Sequence, residues 1–303
     1  MKPAPFAYVA PSSLAETLET LSAYGDEAKL LAGGQSLMPL LNMRLTTPEV
    51  IVDVNRVTAL DYTCQDGNAV CIGALTRQYR LERDPLIGAL LPFLRPVVKL
   101  IGHPPIRHAG TVGGSLAHAD PAAELPAAMC ALQASFKIAG PSGERLVPAD
   151  DFFTGYLTVD MAPDEMLIEV RIPTPQRAVW GIREFARRAG DFALAGAAVV
   201  VDLGPVAAAT GARIVLFGVS DRPLRVPAAE SLLMDHGLSA AMASDLAAVA
   251  VQDLECEADI HASSAYRRQL ARAMVRRAVL DAVAMQEKNP GVGREGNTDA
   301  TPA

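Results

Sequence analysis

The chain has 303 residues, 50% apolar and 20% charged, and carries a net charge of −7. At roughly 150 residues per domain this is a globular protein of about two domains, with room for three small ones. An acidic chain with six tyrosines and one tryptophan lacks the clustered basic surface and aromatic platform that nucleic acids require.

The N-terminus has no apolar signal core, and no stretch reaches the length of a membrane span. Cys64, Cys71, Cys130 and Cys256 have no CxxC spacing. They are expected to be small buried apolar residues of a reduced, cytoplasmic chain that holds no metal.

In chain order, residues 6–9 read as a short strand. Ser12 and Ser13 offer a cap to a helix carrying Leu14, Leu18 and Leu21. Residues 28–32 form a buried strand running into Gly33 and Gly34, 37–45 a helix-like run, and 50–54 the next strand, a βαβ-type layer. A second segment opens with a strand at 69–73 and a helix at 76–83, then a helical run at 90–100 interrupted by Pro92 and Pro96. Residues 101–120, rich in Gly, Pro and His, read as mostly loop. Asp120 as N-cap and Pro121 at the first position start a helix reaching Leu132. Strands follow at 135–139 and 165–172. Beyond Pro175 the pattern changes to three consecutive strands, 180–188, 193–203 and 213–220. Helices are then expected at about 227–235, 239–250 and 263–286, the last with Tyr266, Leu270, Met274, Ala278 and Ala282 in one stripe. Residues 288–303 lack apolar content and are expected to be a disordered tail. The expected units are therefore 1–57, 58–175 and 176–287, followed by that tail.

Two glycine pairs carry the chemistry. The first, Ala32-Gly33-Gly34-Gln35-Ser36, joins a strand to a helix start, where backbone N–H groups and a hydroxyl can face an anion. Alone it reads more readily as a simple turn, since neither GxGxxG nor GxxxxGK[ST] is present. The second, Thr111-Val112-Gly113-Gly114-Ser115, repeats that pattern in a segment also holding Arg107, His108 and His118. Two such loops in separate subdomains suit a ligand with two phosphates, such as a dinucleotide. The histidines lack metal-ligand spacing. Asp120 reads as a helix cap, and a carboxylate one turn into that helix as a solvated group stabilised by the helix dipole. No Ser–His–Asp or paired-carboxylate constellation is visible.

The stretches LLAGGQSLMPLLNMRL (30–45) and IRHAGTVGGSLAHADPAAELP (106–126) resemble the two flavin-binding motifs of the medium subunit of molybdenum hydroxylases, the carbon monoxide and xanthine dehydrogenase relatives. ARRAGDFALAGAAV (186–199) and SSAYRRQLARAMVRRAV (263–279) resemble that family's C-terminal domain, so the likeness covers roughly 1–286. It implies an α+β fold: a two-subdomain FAD-binding domain of the vanillyl-alcohol-oxidase (PCMH) type, then a three-stranded antiparallel sheet with three helices.

The resemblance also implies non-covalent FAD held by Lys29, Leu30, Leu31, Ala32, Gly33, Gly34, Gln35, Ser36 and Leu37. On the other side it implies Ile101, Thr111, Gly113, Gly114, Ser115, His118, Asp120 and Glu124, with Leu167, Asp191 and Phe192 nearer the ring system. Glu184 stands where relatives often have Lys and is not carried over. The implied partners are a small subunit with [2Fe-2S] clusters and a large molybdopterin subunit, in a dimer of heterotrimers. No catalytic residue is expected on this chain, because the flavin carries the redox chemistry. A stand-alone flavin oxidase of the same fold and a non-catalytic FAD-binding assembly protein are the alternatives.

Overall fold

A computed structural model describes residues 2–174, 177–204 and 208–288. At its N-terminus β1 (Ala7–Val9), α1 (Leu14–Tyr24), β2 (Ala28–Leu31), α2 (Leu37–Met43) and β3 (Val50–Asp53) build a three-stranded parallel sheet in the order β1-β3-β2. The central strand β3 is buried at Val50, Ile51 and Val52, as a strand covered on both faces must be. Ser13 caps α1 by accepting the Glu16 N–H at 3.2 Å, and Glu16 returns its carboxylate to the Ser12 N–H at 2.7 Å.

The second segment runs β4 (Thr63–Asp66), β5 (Ala69–Gly73), α3 (Gln78–Arg83), α4 (Pro85–Leu90), α5 (Leu94–Leu100), α6 (Pro104–Ala109), α7 (Val112–His118) and α8 (Glu124–Ala131). After these come β6 (Ser135–Gly140), β7 (Gly143–Pro148), α9 (Ala149–Phe152), β8 (Phe153–Gly155), β9 (Thr158–Val159) and β10 (Met166–Pro173). Its antiparallel sheet has the order β4-β5-β10-β6-β7, while β8 and β9 form a separate hairpin.

Three expectations change here. Residues 101–120 are not mostly loop: Pro104 starts α6, and the Thr111 hydroxyl caps α7. The helix expected from Pro121 begins at Glu124 instead. Asp120 spends its side chain on the Ala122 N–H (2.8 Å), and the Pro121 carbonyl is taken by the Gly218 N–H (2.8 Å), so 120–123 forms a turn. Cys71, Cys130 and Cys256 are buried, but Cys64 is exposed because β4 is an edge strand with a polar outer face.

The C-terminal segment holds β11 (Ala178–Phe185), β12 (Ala195–Leu203), β13 (Ala209–Phe217), β14 (Leu224–Arg225), α10 (Pro227–His236), α11 (Ala243–Val249) and α12 (Ser264–Lys288). The three expected strands form an antiparallel meander, and the two-residue β14 adds a fourth to its edge. Leu270, Met274, Ala278 and Ala282 of α12 are buried, but Tyr266 is 41% exposed. The expected tail lies outside the described residues except for Lys288, which ends α12.

This sheet is covered on both sides. Ala195, Ala197, Val199 and Val201 of β12 face the core shared with α10, α11 and α12. Ala198 and Val200, with Val215 and Phe217 of β13, face the core of the second segment, which includes Leu125, Ala128 and Met129 of α8. A third, smaller core joins β2 and β3 to Ala139, Met166 and Ile168. Sequence patterning marked a boundary near Pro175, but packing is continuous across it.

Candidate functional site

The two glycine segments meet. Gly33 lies so close to the end of α6 that a Cβ there would stand 2.5 Å from the Ala109 carbonyl oxygen and 2.7 Å from Gly110 Cα. A Cβ on Gly114 would be 3.7 Å from that of Ala32. Gly34 has φ 69°, the left-handed region that favours glycine, and this turn lets the chain double back into α2.

Arg77, ahead of α3, binds the junction together. It donates to the Ala109 carbonyl and to Asn55 Oδ1 (2.7 Å), while Asn55 Nδ2 donates to the Ala32 carbonyl (2.9 Å). Sequence reasoning missed both residues, because each stands alone between elements and matches no motif.

The two segments differ in what they offer a ligand. In the first, the N–H groups of Gly33, Gly34, Gln35 and Ser36 have no partner among the described residues, and neither has the Ser36 hydroxyl. Four consecutive uncommitted amides are a donor set suited to an anion. The Gln35 side chain turns back onto the Gly33 carbonyl (2.8 Å) and stiffens the loop.

In the second, the amides are already used. Val112 donates to Thr76 O (2.9 Å), Gly113 to Ala74 O (2.8 Å), Gly114 to Thr111 Oγ1 (3.0 Å) and Ser115 to Thr111 O (3.2 Å). With its amides committed, this segment stands as a wall facing the first, and Thr111 is 1% exposed within it. The Ser115 hydroxyl makes no bond among the described residues.

The remaining positions surround this junction. Lys29, Leu30 and Leu31 lie on β2, and Leu37 opens α2. Ile101 follows α5, and its carbonyl accepts from Arg107 Nη1 at 2.9 Å. His118 ends α7, ahead of Ala119, whose φ of 50° reverses the chain toward Asp120. Asp191 and Phe192 lie between β11 and β12; the preceding Gly190 packs on His103, where a Cβ would be 2.7 Å from the ring. That contact brings a C-terminal loop beside Gly102 and Ile101, and Phe192 stays 67% exposed. Leu167, in contrast, is a core residue, 3% exposed.

Glu124, the first residue of α8, is 8% exposed and accepts only from its own backbone N–H. It is not a solvated first-turn carboxylate. Burial, reinforced by the nearby charges of Glu184 and Asp120, pushes its carboxyl up to about 8. Burial likewise lifts Glu184 to about 7, and its Oε2 is buried without a partner. The fold thus makes a carboxyl pair from residues far apart in sequence.

The donor set fits a dinucleotide diphosphate: free amides and two free hydroxyls converge where two subdomains touch, and a loop of the third segment closes on the same region. Comparison with known proteins agrees. Residues 4–175 match the FAD binding domain in molybdopterin dehydrogenase, and residues 180–282 match the CO dehydrogenase flavoprotein C-terminal domain. The chain is 40% identical over 284 residues to the 6-hydroxypseudooxynicotine dehydrogenase complex subunit alpha of Paenarthrobacter nicotinovorans, covering 93% of this chain and 96% of that one. It is 36% identical to the carbon monoxide dehydrogenase medium chain of Hydrogenophaga pseudoflava, covering 92% and 97% of the two chains. It superposes on a chain of quinoline 2-oxidoreductase from Pseudomonas putida 86 with a TM-score of 0.89 at 37% identity, over 94% of this chain and 99% of that one.

Proposed function

Since the chain belongs to the FAD-binding medium subunits of the molybdenum hydroxylases, we propose that it is the electron-transfer subunit of a heterotrimer. In this reading it sits with an iron–sulfur subunit and a molybdopterin subunit, takes electrons from the partner's [2Fe-2S] clusters and delivers them to an external acceptor. The substrate is oxidised on another subunit. When bound, FAD supplies the redox chemistry, exchanging electrons singly or in pairs.

The row of free amides from Gly33 to Ser36 carries this reading. Those amides and the Ser36 hydroxyl would hold the pyrophosphate, with Lys29, Leu30, Leu31, Ala32, Gln35 and Leu37 shaping that side. Gly113, Gly114 and Ser115, fixed by Thr111, would form the facing wall, the last contributing its hydroxyl. Ile101, His118, Asp120, Glu124, Asp191 and Phe192 would line the rest, with Leu167 backing them from the core. Arg77 and Asn55 would hold the two sides in register and so act as positioning residues. Cofactor binding would be non-covalent.

The direct test is titration of the flavin-free full chain with FAD, followed by acid precipitation. We expect one FAD per chain and all the yellow colour in the acid supernatant. Failure to bind FAD overturns the reading, and colour retained in the pellet overturns non-covalent attachment.

A further inference from the structure

Glu124 and Glu184 occupy a place in the fold where two carboxyl groups are hard to accommodate. Along β11, Val179, Gly181, Arg183 and Phe185 lie on the α12 side: a Cβ on Gly181 would meet the Ala278 backbone, and Arg183 pairs with Asp281 at 2.6 Å. Trp180 and Ile182 pack on the opposite core, so Glu184 shares that face and is directed at α8 and its neighbours. Its opposite residue on β12 is Gly196, whose missing side chain is replaced by the Phe217 ring. Glu184 Oε2 is buried there with no partner. Glu124 arrives on the same side from the start of α8, 8% exposed and without an ion pair.

Among the described residues neither carboxyl is ion-paired; Arg267, which reaches the Leu194 and Gly218 carbonyls nearby, is paired with Asp259. Asp120, before α8, is a third acidic group close enough to act on Glu124. Arg213 is on the same sheet face but is committed to Asp202 and to the Ala131 carbonyl at the far end of α8. A buried, unpaired carboxylate is costly unless neutralised by a proton or satisfied by a donor. Along the chain the two carboxyls adjoin the segments that would flank the flavin: the 120–123 turn immediately precedes Glu124, and the 186–194 loop begins two residues after Glu184.

We propose that Glu124 and Glu184 form a proton-holding carboxyl pair lining the cofactor pocket, so that FAD is taken up together with about one proton. The proposal rests on the FAD reading above. Both carboxyls are buried even without the dinucleotide, and above neutral pH the pair gives up its proton. An anionic dinucleotide bound alongside adds negative charge, which favours the neutral carboxyls. A protonated Glu184 then has an O–H to donate as well as an oxygen to accept, which serves its orphaned position.

The test is calorimetric titration of the flavin-free full chain with FAD from pH 6 to 9, in buffers of different ionisation enthalpy. Net proton uptake should appear above about pH 7, with affinity weakening by up to about tenfold per pH unit there. Glu124→Gln and Glu184→Gln should each reduce the uptake, and the double variant should nearly abolish it. Binding without proton uptake by the unmodified chain, or equal uptake by the double variant, overturns the pair. If a variant does not fold, the buffer series on the unmodified chain still decides. Absence of FAD binding at every pH sinks the cofactor reading instead.

Discussion

Arg77 and Asn55 face each other across the two N-terminal segments, the guanidinium Nη2 donating to Asn55 Oδ1 at 2.7 Å. Through Ala109 on one side and Ala32 on the other, this pair fixes the distance between the free amides and their facing wall.

Removing either side chain should therefore weaken cofactor binding without unfolding the chain. A hydrogen bond involving a charged group contributes roughly 1.5–3 kcal/mol. Arg77→Ala and Asn55→Ala should thus raise the Kd for FAD by on the order of ten- to a hundredfold, measured by flavin fluorescence. Unchanged affinity in both variants would show that the loops hold their spacing unaided.

The two glycine segments should respond unequally to a methyl group. At Gly33 the new Cβ would strike the Ala109 backbone at 2.5 Å and Gly110 Cα at 2.7 Å, whereas at Gly114 it would meet one side-chain atom, the Thr111 hydroxyl, at 2.7 Å. Gly33→Ala should lose about 1–3 kcal/mol of stability and most of its FAD. Gly114→Ala should be the milder change in both melting temperature and flavin content. The opposite order would mean that the second segment, not the first, is the tight contact.

Much of this site was legible in sequence, and what was not has physical causes. The order of buried strand, glycine pair and helix around Gly33 shows because apolar residues end abruptly at glycines. Helices α6 and α7, of six and seven residues, are too short to display a period. They are held by tertiary contacts such as Arg107 to Glu82 at 2.8 Å. β4 was missed because Thr63, Cys64, Gln65 and Asp66 are half-exposed or exposed and show no alternation. The Glu124–Glu184 pair joins two units whose packing no local pattern announces. Glu124 itself was singled out only through resemblance.

Stability should depend on pH through that pair. In the folded chain Glu124 is lifted from 4.5 to about 8 and Glu184 from 4.5 to about 7, so the folded state keeps protons that the unfolded state has lost. The sign follows: the pair's contribution to stability is greatest below about pH 4.5, falls as pH rises toward 8, and levels off above it. Denaturant melts from pH 5 to 9 should show this decline, and Glu124→Gln should flatten it. A slope unaffected by the substitution would place the titrating group elsewhere.

The cap of α4 offers a control remote from the pocket. Asp84 accepts from the Leu86 N–H (2.8 Å) and from the Thr63 hydroxyl (2.5 Å). Asp84→Ala should lower stability by about 1 kcal/mol while leaving FAD affinity intact. A loss of affinity would show that α4 communicates with the site.

Electron input should come from outside the chain. The isolated flavin-loaded subunit should be reduced by dithionite but not by a substrate of the complete complex, and adding the iron–sulfur and molybdopterin subunits should restore substrate-driven bleaching. Bleaching by the isolated subunit would favour a self-contained oxidase.

The covering of β12 on both faces leaves no permissive position from Ala195 to Val201. Ala197 and Val199 answer to one core, while Ala198 and Val200 answer to the other. A bulkier residue at any of them presses on a helix layer, and a polar one is stranded in apolar surroundings whichever way it points. Substitutions along this strand should be accepted only as near-equal exchanges of volume, so a saturation library should show its steepest intolerance here. Such a library would mark β12 as the hinge-free spine on which the flavin-binding half and the helical half are set at a fixed angle.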